Sequence, residues 1–335
     1  MPDNGCDVVV VGASAGGVEA LSALVRALPA DFAAPVVVVL HVPASGPSVL
    51  PAILSRAGPL PAVHVADGVA LAPGRIYVAP PNCHVLVSGG SLTLSRGPRE
   101  NGHRPAIDPL FRSAVASFAE RTAGVVLSGT LDDGTAGLFA IKSEGGATLV
   151  QDPEEALYNS MPSSAIRYVE PDYVLPAHGL ADTLVRLTAG SNGHPRKEEP
   201  VDHFAPAPAA EQAQPGDLAP FSCPDCGGTL WVQAHGELET FRCRVGHAYS
   251  ANSLVARHAD TVERALWTAY RALQERAAMS QRVSRRLAVH GRHESADEFE
   301  RQALETTRHA GALKRLLDDL EAAPDAEDAE AADPR

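Results

Sequence analysis

A glycine-framed serine, a histidine and two aspartates beyond apolar runs, and three cysteines with a nearby histidine are the groups here with chemistry to offer. Gly12-Ala13-Ser14-Ala15-Gly16-Gly17 sets a hydroxyl between the apolar run 7–12 and a helical pattern. A Gly-x-Ser-x-Gly turn bends sharply, lifts its serine to the carboxyl end of a sheet and lets a substrate approach. The helix that follows aims free N–H groups and its positive end at the same spot, where a tetrahedral oxyanion needs them. Taken alone, the motif also fits a plain strand–helix turn or a loop cradling a phosphate. Ser14 stands where a dinucleotide fingerprint has its middle glycine, and no Gly-Lys-Ser/Thr loop is present, so neither nucleotide motif fits. An ordinary α/β-hydrolase carries its elbow mid-chain, whereas this one follows the first strand.

A serine hydroxyl is a weak nucleophile without a base and an acid to orient that base. Functional side chains gather at strand carboxyl ends. His41 follows the run 36–40, and Asp132 and Asp133 follow the run 124–127. Each alone reads as a structural histidine or a turn-forming aspartate. Their shared placement with Ser14 joins them. His64, His84, His103 and His178 compete for the base by composition.

The third group is Cys223, Cys226, Cys243 and His247, spaced C-x2-C-x16-C-x3-H. A C-x2-C knuckle followed by glycine turns two thiolates to one point, and a hairpin over 230–234 and 240–242 would return the second pair. Four N/S ligands close a tetrahedral shell, which predicts a structural Zn²⁺. The segment is too small for its own core, so metal would supply its folding energy. A redox dithiol at Cys223/Cys226 is the alternative, and His235 and His258 are weaker fourth ligands.

The predicted elements that position these groups are an alternation of strand and helix. Strands are expected at 7–12, 36–40, 124–127 and 147–150, and a hairpin at 85–87 and 92–94 around Gly89-Gly90. Helices are expected after Gly17, with Leu21, Leu24, Val25 and Leu28 on one face, and over 109–121 and 136–143. This predicts an α/β fold, a doubly wound and mainly parallel sheet with helices on both faces. Its expected extent is 6–189, followed by a flexible linker over 190–219. A zinc-ribbon-like module over 220–250, a helical hairpin over 251–321 and a disordered acidic tail over 322–335 complete the expected organisation. The first hairpin helix carries Val255, Ala259, Val262, Leu266, Ala269 and Leu273 in one stripe, ending at His290-Gly291. The second carries Phe299, Ala303, Thr306, Ala310, Leu313, Leu317 and Leu320, with Ser295 and Glu298 as its capping box.

At 335 residues, 45% of them hydrophobic, the chain is long enough for two domains. A net charge of −13 repels phosphate backbones and argues against nucleic acid. Neither a signal peptide nor a run of about 20 apolar residues is present, so no membrane insertion is expected. Five cysteines, with Cys6 and Cys83 standing alone, suit a reducing cytoplasmic setting.

Residues 6–188 resemble the catalytic domain of the CheB protein-glutamate methylesterases of chemotaxis. Residues 12–17 resemble the family's nucleophile loop, and Leu40-His41-Val42-Pro43 its His-Met-Pro segment. Gly74-Arg75-Ile76-Tyr77-Val78-Ala79-Pro80 is similar to its P-G-x-I-Y-x-A-P turn, and residues 104–111 to its R-P-S-V-D-x-L-F run. Residues 127–134 resemble its L-T-G-M-G-x-D-G loop. The resemblance implies Ser14 as nucleophile, His41 as general base and Asp133, rather than Asp132, as orienting acid. It implies hydrolysis of glutamyl methyl esters on a methylated chemoreceptor-like protein, with glutamine deamidation by the same chemistry and no cofactor for catalysis. Ala15 stands where the family has Thr, and Thr130 where it has Met. No receiver domain precedes the matching segment, so control by a partner, or none, is the expectation. The tail resembles the zinc-ribbon-like extension of receiver-less relatives, which suits docking to a receptor methyltransferase or sensor kinase. A scaffold that recruits a signalling partner and an esterase for small esters are the rival readings. The ribbon is expected to be independent, so that chelation or Cys226→Ser would spare turnover.

Overall fold

Valine runs set the centre of the molecule. The computed structural model describes residues 5–46, 48–189 and 217–322. The chain opens with β1 (Val8–Ala13), α1 (Gly17–Ala27), β2 (Val36–Leu40), α2 (Leu50–Ala57), β3 (Ala62–His64) and β4 (Val69–Ala70). It continues through β5 (Ile76–Val78), β6 (His84–Ser88), β7 (Ser91–Ser95), α3 (Ile107–Phe118) and β8 (Thr122–Val126). Then come α4 (Thr135–Ser143), β9 (Ala147–Gln151), α5 (Ser160–Val169), β10 (Tyr173–Leu175) and α6 (Ala177–Thr188).

Seven of these strands form one parallel sheet in the order β10-β9-β8-β1-β2-β5-β3. A parallel sheet covered on both sides needs unbroken apolar strands, and every residue of β1 and β2 is buried. Alternate side chains serve opposite cores. Val9, Val11, Val36 and Val38 pack with Leu21 and Leu24 of α1, Leu54 of α2 and Leu180 and Leu184 of α6. Val8, Val10, Val37 and Val39 pack with Ile107 and Phe111 of α3, Leu138 of α4 and Met161 and Ala165 of α5. This is the doubly wound sheet the sequence predicts. β2 lies on one side of β1 and β8 on the other. Such a reversal of strand order opens a crevice at the carboxyl ends, where α/β proteins place ligands.

The expected hairpin forms between β6 and β7, and β4 joins it in a separate antiparallel sheet. The helix expected at 109–121 begins at Ile107 and ends at Phe118, with a 3₁₀ turn at Ala119–Arg121. Strands β3, β4 and β10, two or three residues each, carry too little pattern to be read without their neighbours.

The cysteine segment forms β11 (Leu218–Ser222), β12 (Thr229–His235), β13 (Leu238–Cys243) and β14 (Ala248–Ser250), an antiparallel sheet in that order. β11 starts inside the stretch read as linker; residues 190–216 lie outside the described residues. The ribbon is not a separate body, contrary to the expected independence. Arg242 meets the buried Glu100, which Arg112 grips with contacts of 2.8 and 2.7 Å. The Ser250 N–H donates to Asn101 Oδ1 at 2.9 Å, and the Asn101 N–H donates to Ala248 O at 2.8 Å. The hydroxyls of Ser250 and Ser253 both donate to Asp132 Oδ1. Residues up to Val255 thus form one unit, and a second unit starts at Ala256.

The remaining elements are α7 (Ala251–Val289) and α8 (His293–Ala322). In the second unit, Ala303, Thr306, Ala310 and Leu317 of α8 are buried, as expected, but Leu320 is exposed. The α7 stripe departs from expectation. Val262 is 54% exposed, and the packed positions are Leu266, Tyr270, Leu273, Ala277 and Ser280. Small Ala277 and Ser280 are buried while the larger Val262 is not. Lys314 Nζ sits 5.1 Å from the centre of the Trp267 ring. Because α8 begins at His293, Ser295 lies inside its first turn and is not the cap. Residues 323–335 of the expected tail lie outside the described residues. No helix among the described residues is long and apolar enough to cross a membrane.

Candidate active site

Three neighbouring strands deliver the three groups. Ser14 follows β1, His41 follows β2 and Asp133 follows β8 in the loop before α4. The loops are laced together at the rim. Ser14 N–H donates to Ser128 O at 2.9 Å, His41 N–H to Ala13 O at 3.1 Å, and Ser128 Oγ to Ala15 O at 2.8 Å. Gly16 takes a φ of 68°, which glycine adopts without strain, and α1 starts at the next residue. Gly12 has a different role from the expected bend. It lies within β1, and a side chain there would collide with Ile107. A side chain on Gly129 would collide with the Met161 thioether and stand 2.8 Å from Ser14 Cβ, so only glycine fits beside the serine.

His41 Nδ1 lies 3.1 Å from Ser14 Oγ, and His41 Nε2 lies 2.7 Å from Asp133 Oδ2. With the proton on Nε2, donated to the carboxylate, the Nδ1 lone pair faces the serine hydroxyl. Asp133 is buried and held by four further donors or charges. Ile107 N–H donates to Oδ2 at 2.7 Å, while Asp108 N–H and Asn101 Nδ2 donate to Oδ1 at 3.3 and 2.9 Å. Burial by itself would raise this carboxyl. The hydrogen bond and charge of His41, then the Ile107 N–H and the His103 charge, outweigh burial and hold it below the usual carboxylate range.

The two aspartates inside this network cap helices reciprocally. Asp133 receives the first N–H groups of α3, while Asp108 of α3 accepts from Gly134 and Gly137 at the start of α4 at 3.1 and 2.7 Å. Burial, followed by the neighbouring Asp133 charge, drives the Asp108 carboxyl well above its ordinary value. Asp132 points away from His41 to Ser250 and Ser253, and burial raises its carboxyl in spite of the two hydroxyls.

Asn101 went unread in the sequence, and His103, weighed there as a rival base, takes a different place beside His41. Glu100-Asn101-Gly102-His103 is a tight turn closed by the hydrogen bonds Glu100 N–H to His103 O and His103 N–H to Glu100 O. Asn101 and Gly102 take φ values of 50° and 78°, as a type I′ turn requires. The Asn-Gly pair is the signal that could have found it. The turn aims Asn101 at Asp133 and Asp108, at 2.9 and 3.1 Å, and stacks the His103 ring on His41 with centroids 3.7 Å apart.

The competing histidines are elsewhere engaged. His84 is buried, lies 3.0 Å from Pro98 O and accepts from Ala106 N–H, and burial lowers its pKa. His64 lies 3.0 Å from Ser48 O, and His178 is exposed on α6. Thr130 is half-buried in the loop between β8 and α4.

In the ribbon, the ligand atoms of Cys223, Cys226, Cys243 and His247 all lie within 4.8 Å of one another. Cys226 Sγ to Cys243 Sγ is 3.7 Å, and His247 Nδ1 lies 3.6 and 3.5 Å from the thiols of Cys223 and Cys243. A tetrahedral zinc with ordinary bond lengths sets its ligands about 3.5–3.8 Å apart, so the donor set fits that ion. Two knuckles present the ligands, with Gly227 N–H donating to Cys223 O and Gly246 N–H to Cys243 O. Tyr249 OH contacts Cys223 Sγ at 3.6 Å and donates to Asp225 at 2.7 Å, bracing the site from outside. His235 ends β12 opposite Leu238, at the far end of the hairpin from Cys243, and His258 lies on α7. Neither belongs to the cluster.

A doubly wound sheet thus brings a serine hydroxyl, an imidazole and a carboxylate into hydrogen-bond contact across three adjacent strand ends. The CheB methylesterase family model matches residues 9–184, just over half of the chain, and the chain belongs to that family. A Leptospira interrogans protein (strain Fiocruz L1-130) is 36% identical over 182 residues, covering 54% of this chain and 94% of that protein. A protein-glutamate methylesterase/protein-glutamine glutaminase of Anaeromyxobacter dehalogenans (strain 2CP-C) is 37% identical over 182 residues, 53% of its own length. Among solved structures, the Thermotoga maritima CheB methylesterase catalytic domain matches with a TM-score of 0.52 and 33% identity. It covers 54% of this chain and 98% of that one.

Proposed function

We propose that this chain hydrolyses glutamate methyl esters on a chemoreceptor-like signalling protein through Ser14, His41 and Asp133. The observation that carries the reading is the unbroken relay, 3.1 Å from Ser14 Oγ to His41 Nδ1 and 2.7 Å from His41 Nε2 to Asp133 Oδ2. His41 takes the Ser14 proton through Nδ1 as Oγ attacks the ester carbonyl, and Asp133 stabilises the resulting imidazolium. Backbone N–H groups of the turn at the start of α1, that of Ala15 first, would receive the developing oxyanion. Collapse expels methanol with the proton from His41. Water then enters, gives its proton to His41 and releases the free glutamate and Ser14. Deamidation of glutamine follows the same route with ammonia leaving, in keeping with the double name of the Anaeromyxobacter relative.

Cys223, Cys226, Cys243 and His247 would hold a structural Zn²⁺ with no open position for chemistry. Three metal-binding thiolates suit a reducing, cytoplasmic setting. The helices α7 and α8, with Met279, Leu304 and Leu316 exposed, suit docking to a companion such as a receptor methyltransferase or sensor kinase. Methanol release from a methylated receptor is the test. Wild type should release it and Ser14→Ala should not, whereas equal release from both would leave the chain a scaffold.

A further inference from the structure

The most unusual placement in the molecule is that of Asn101. Its backbone N–H and its side-chain oxygen face the ribbon, on Ala248 O at 2.8 Å and Ser250 N at 2.9 Å. Its side-chain nitrogen faces the relay, on Asp133 Oδ1 at 2.9 Å and Asp108 Oδ2 at 3.1 Å. One buried amide thus uses its acceptor on the ribbon and its donors on two carboxylates. An amide so bonded has a fixed orientation, since exchanging O and N would set the oxygen against both carboxylates. The ribbon N–H of Ser250 is therefore what selects the orientation that donates to Asp133. On either side of it the seam is ionic or charge-assisted. Arg242 reaches Glu100, the residue before Asn101, and Ser250 and Ser253 reach Asp132, the residue before Asp133. These contacts are made to, or next to, residues that hold the acid.

We infer that Asn101 is a positioning residue for Asp133 and that the metal-held ribbon fixes it, so that ribbon order sets the efficiency of the relay. This inference rests on the hydrolase reading above. When the ribbon is ordered, Asn101 and the Ile107 and Asp108 amides fill the sites on Asp133 away from His41, and Oδ2 stays aligned on the imidazole. When the ribbon loosens, Ser250 no longer holds the amide oxygen, Asn101 is free to turn, and the anion loses one donor and its fixed direction. Substrate contacts at Ser14 are untouched, so the effect falls on kcat and not on KM.

The test uses the full chain. Zinc removal by chelation, Zn²⁺ re-addition, Cys226→Ser, Asn101→Gly and the double variant are compared by methanol release and by hydrogen exchange of the Ile107 and Asp108 amides. Glycine at 101 keeps the positive φ of the turn and removes the amide. Asn101→Asp is the conservative partner: it keeps an acceptor for Ser250 and loses the donor to Asp133. Expected results are a roughly tenfold or larger fall in kcat for each change, with KM within about twofold. The double variant should be no worse than either single one. Zn²⁺ should restore kcat to the chelated wild type but not to Asn101→Gly, and exchange at Ile107 and Asp108 should quicken whenever the ribbon is disordered. Full kcat and unchanged exchange after zinc removal would overturn the inference, as would multiplicative effects in the double variant. If wild type releases no methanol, the hydrolase reading fails, and the exchange measurement still decides whether the ribbon orders the acid. Should Cys226→Ser not fold, Ser250→Ala/Ser253→Ala takes its place as the seam variant.

Discussion

The relay and the ribbon gather distant residues by different physical means. Ser14, His41 and Asp133 are 27 and 92 positions apart, yet they meet because three hydrogen-bonded neighbours, β8, β1 and β2, end at one rim. Two large apolar clusters, one on each face of the sheet, hold those strands. The ribbon has no such reserve. Its buried cluster is Ala219, Cys223, Leu230, Phe241, Cys243, Tyr249 and Leu254, and two of the seven are ligands. A core of that size does not by itself offset the ordering entropy of its strands, and the proposed ion would supply the difference. Where a core is large, the backbone carries the geometry of a site; where it is small, the ligands carry the geometry of the backbone.

The comparison breaks first at the acid. Asp133→Asn should lower kcat by about 10³-fold or more, because the amide favours the wrong histidine tautomer, while KM moves little. A loss under tenfold would mean that His41 does not depend on this carboxylate. Next comes the seam. Removing both hydroxyls in Ser250→Ala/Ser253→Ala leaves buried Asp132 without them and should cost about 2–4 kcal/mol of stability by urea unfolding. A change below about 0.5 kcal/mol would show the two regions to be neighbours without coupling.

A pH series sharpens the same point. Asp133 lies below its ordinary value, so its contribution is present above the unfolded value of about 3.9 and is lost as pH falls through the folded one. Wild type should therefore exceed Asp133→Asn in Tm at pH 7, and the gap should narrow below about pH 4. A gap that widens on acidification would contradict a depressed carboxyl. Least of all, Arg242→Ala should cost about 0.5–1 kcal/mol, since it is partly exposed and Arg112 Nη2 keeps its hold on both Glu100 oxygens.

Much of the sheet was legible from residues alone. The continuous valines of β1 and β2 announce strands buried on both faces, and the hairpin around Gly89-Gly90 follows from its glycines. The clustering of Cys223, Cys226, Cys243 and His247 followed from spacing, because two knuckles are local structures. Other parts were not. The packed stripe of α7 moved to Leu266, Tyr270, Leu273, Ala277 and Ser280, since which face packs depends on the partner helix. Asn101, and the stacking of His103 on His41, escaped because a turn states that the chain reverses, not what it faces.

By itself the sequence determined the alternation of strand and helix, the serine at the first strand end and the two cysteine knuckles, all of which are interactions among residues near in the chain. Composition and spacing left Asp132 and Asp133 both open, and the family resemblance favoured Asp133. The tertiary structure supplies the reason, since the two side chains point to Ser250 and to His41. It alone joined the ribbon to the acid through Asn101. The reason is that a hydrogen bond is directional and short, so its partner is set by the packing of whole elements, and no pattern along one segment carries that distance.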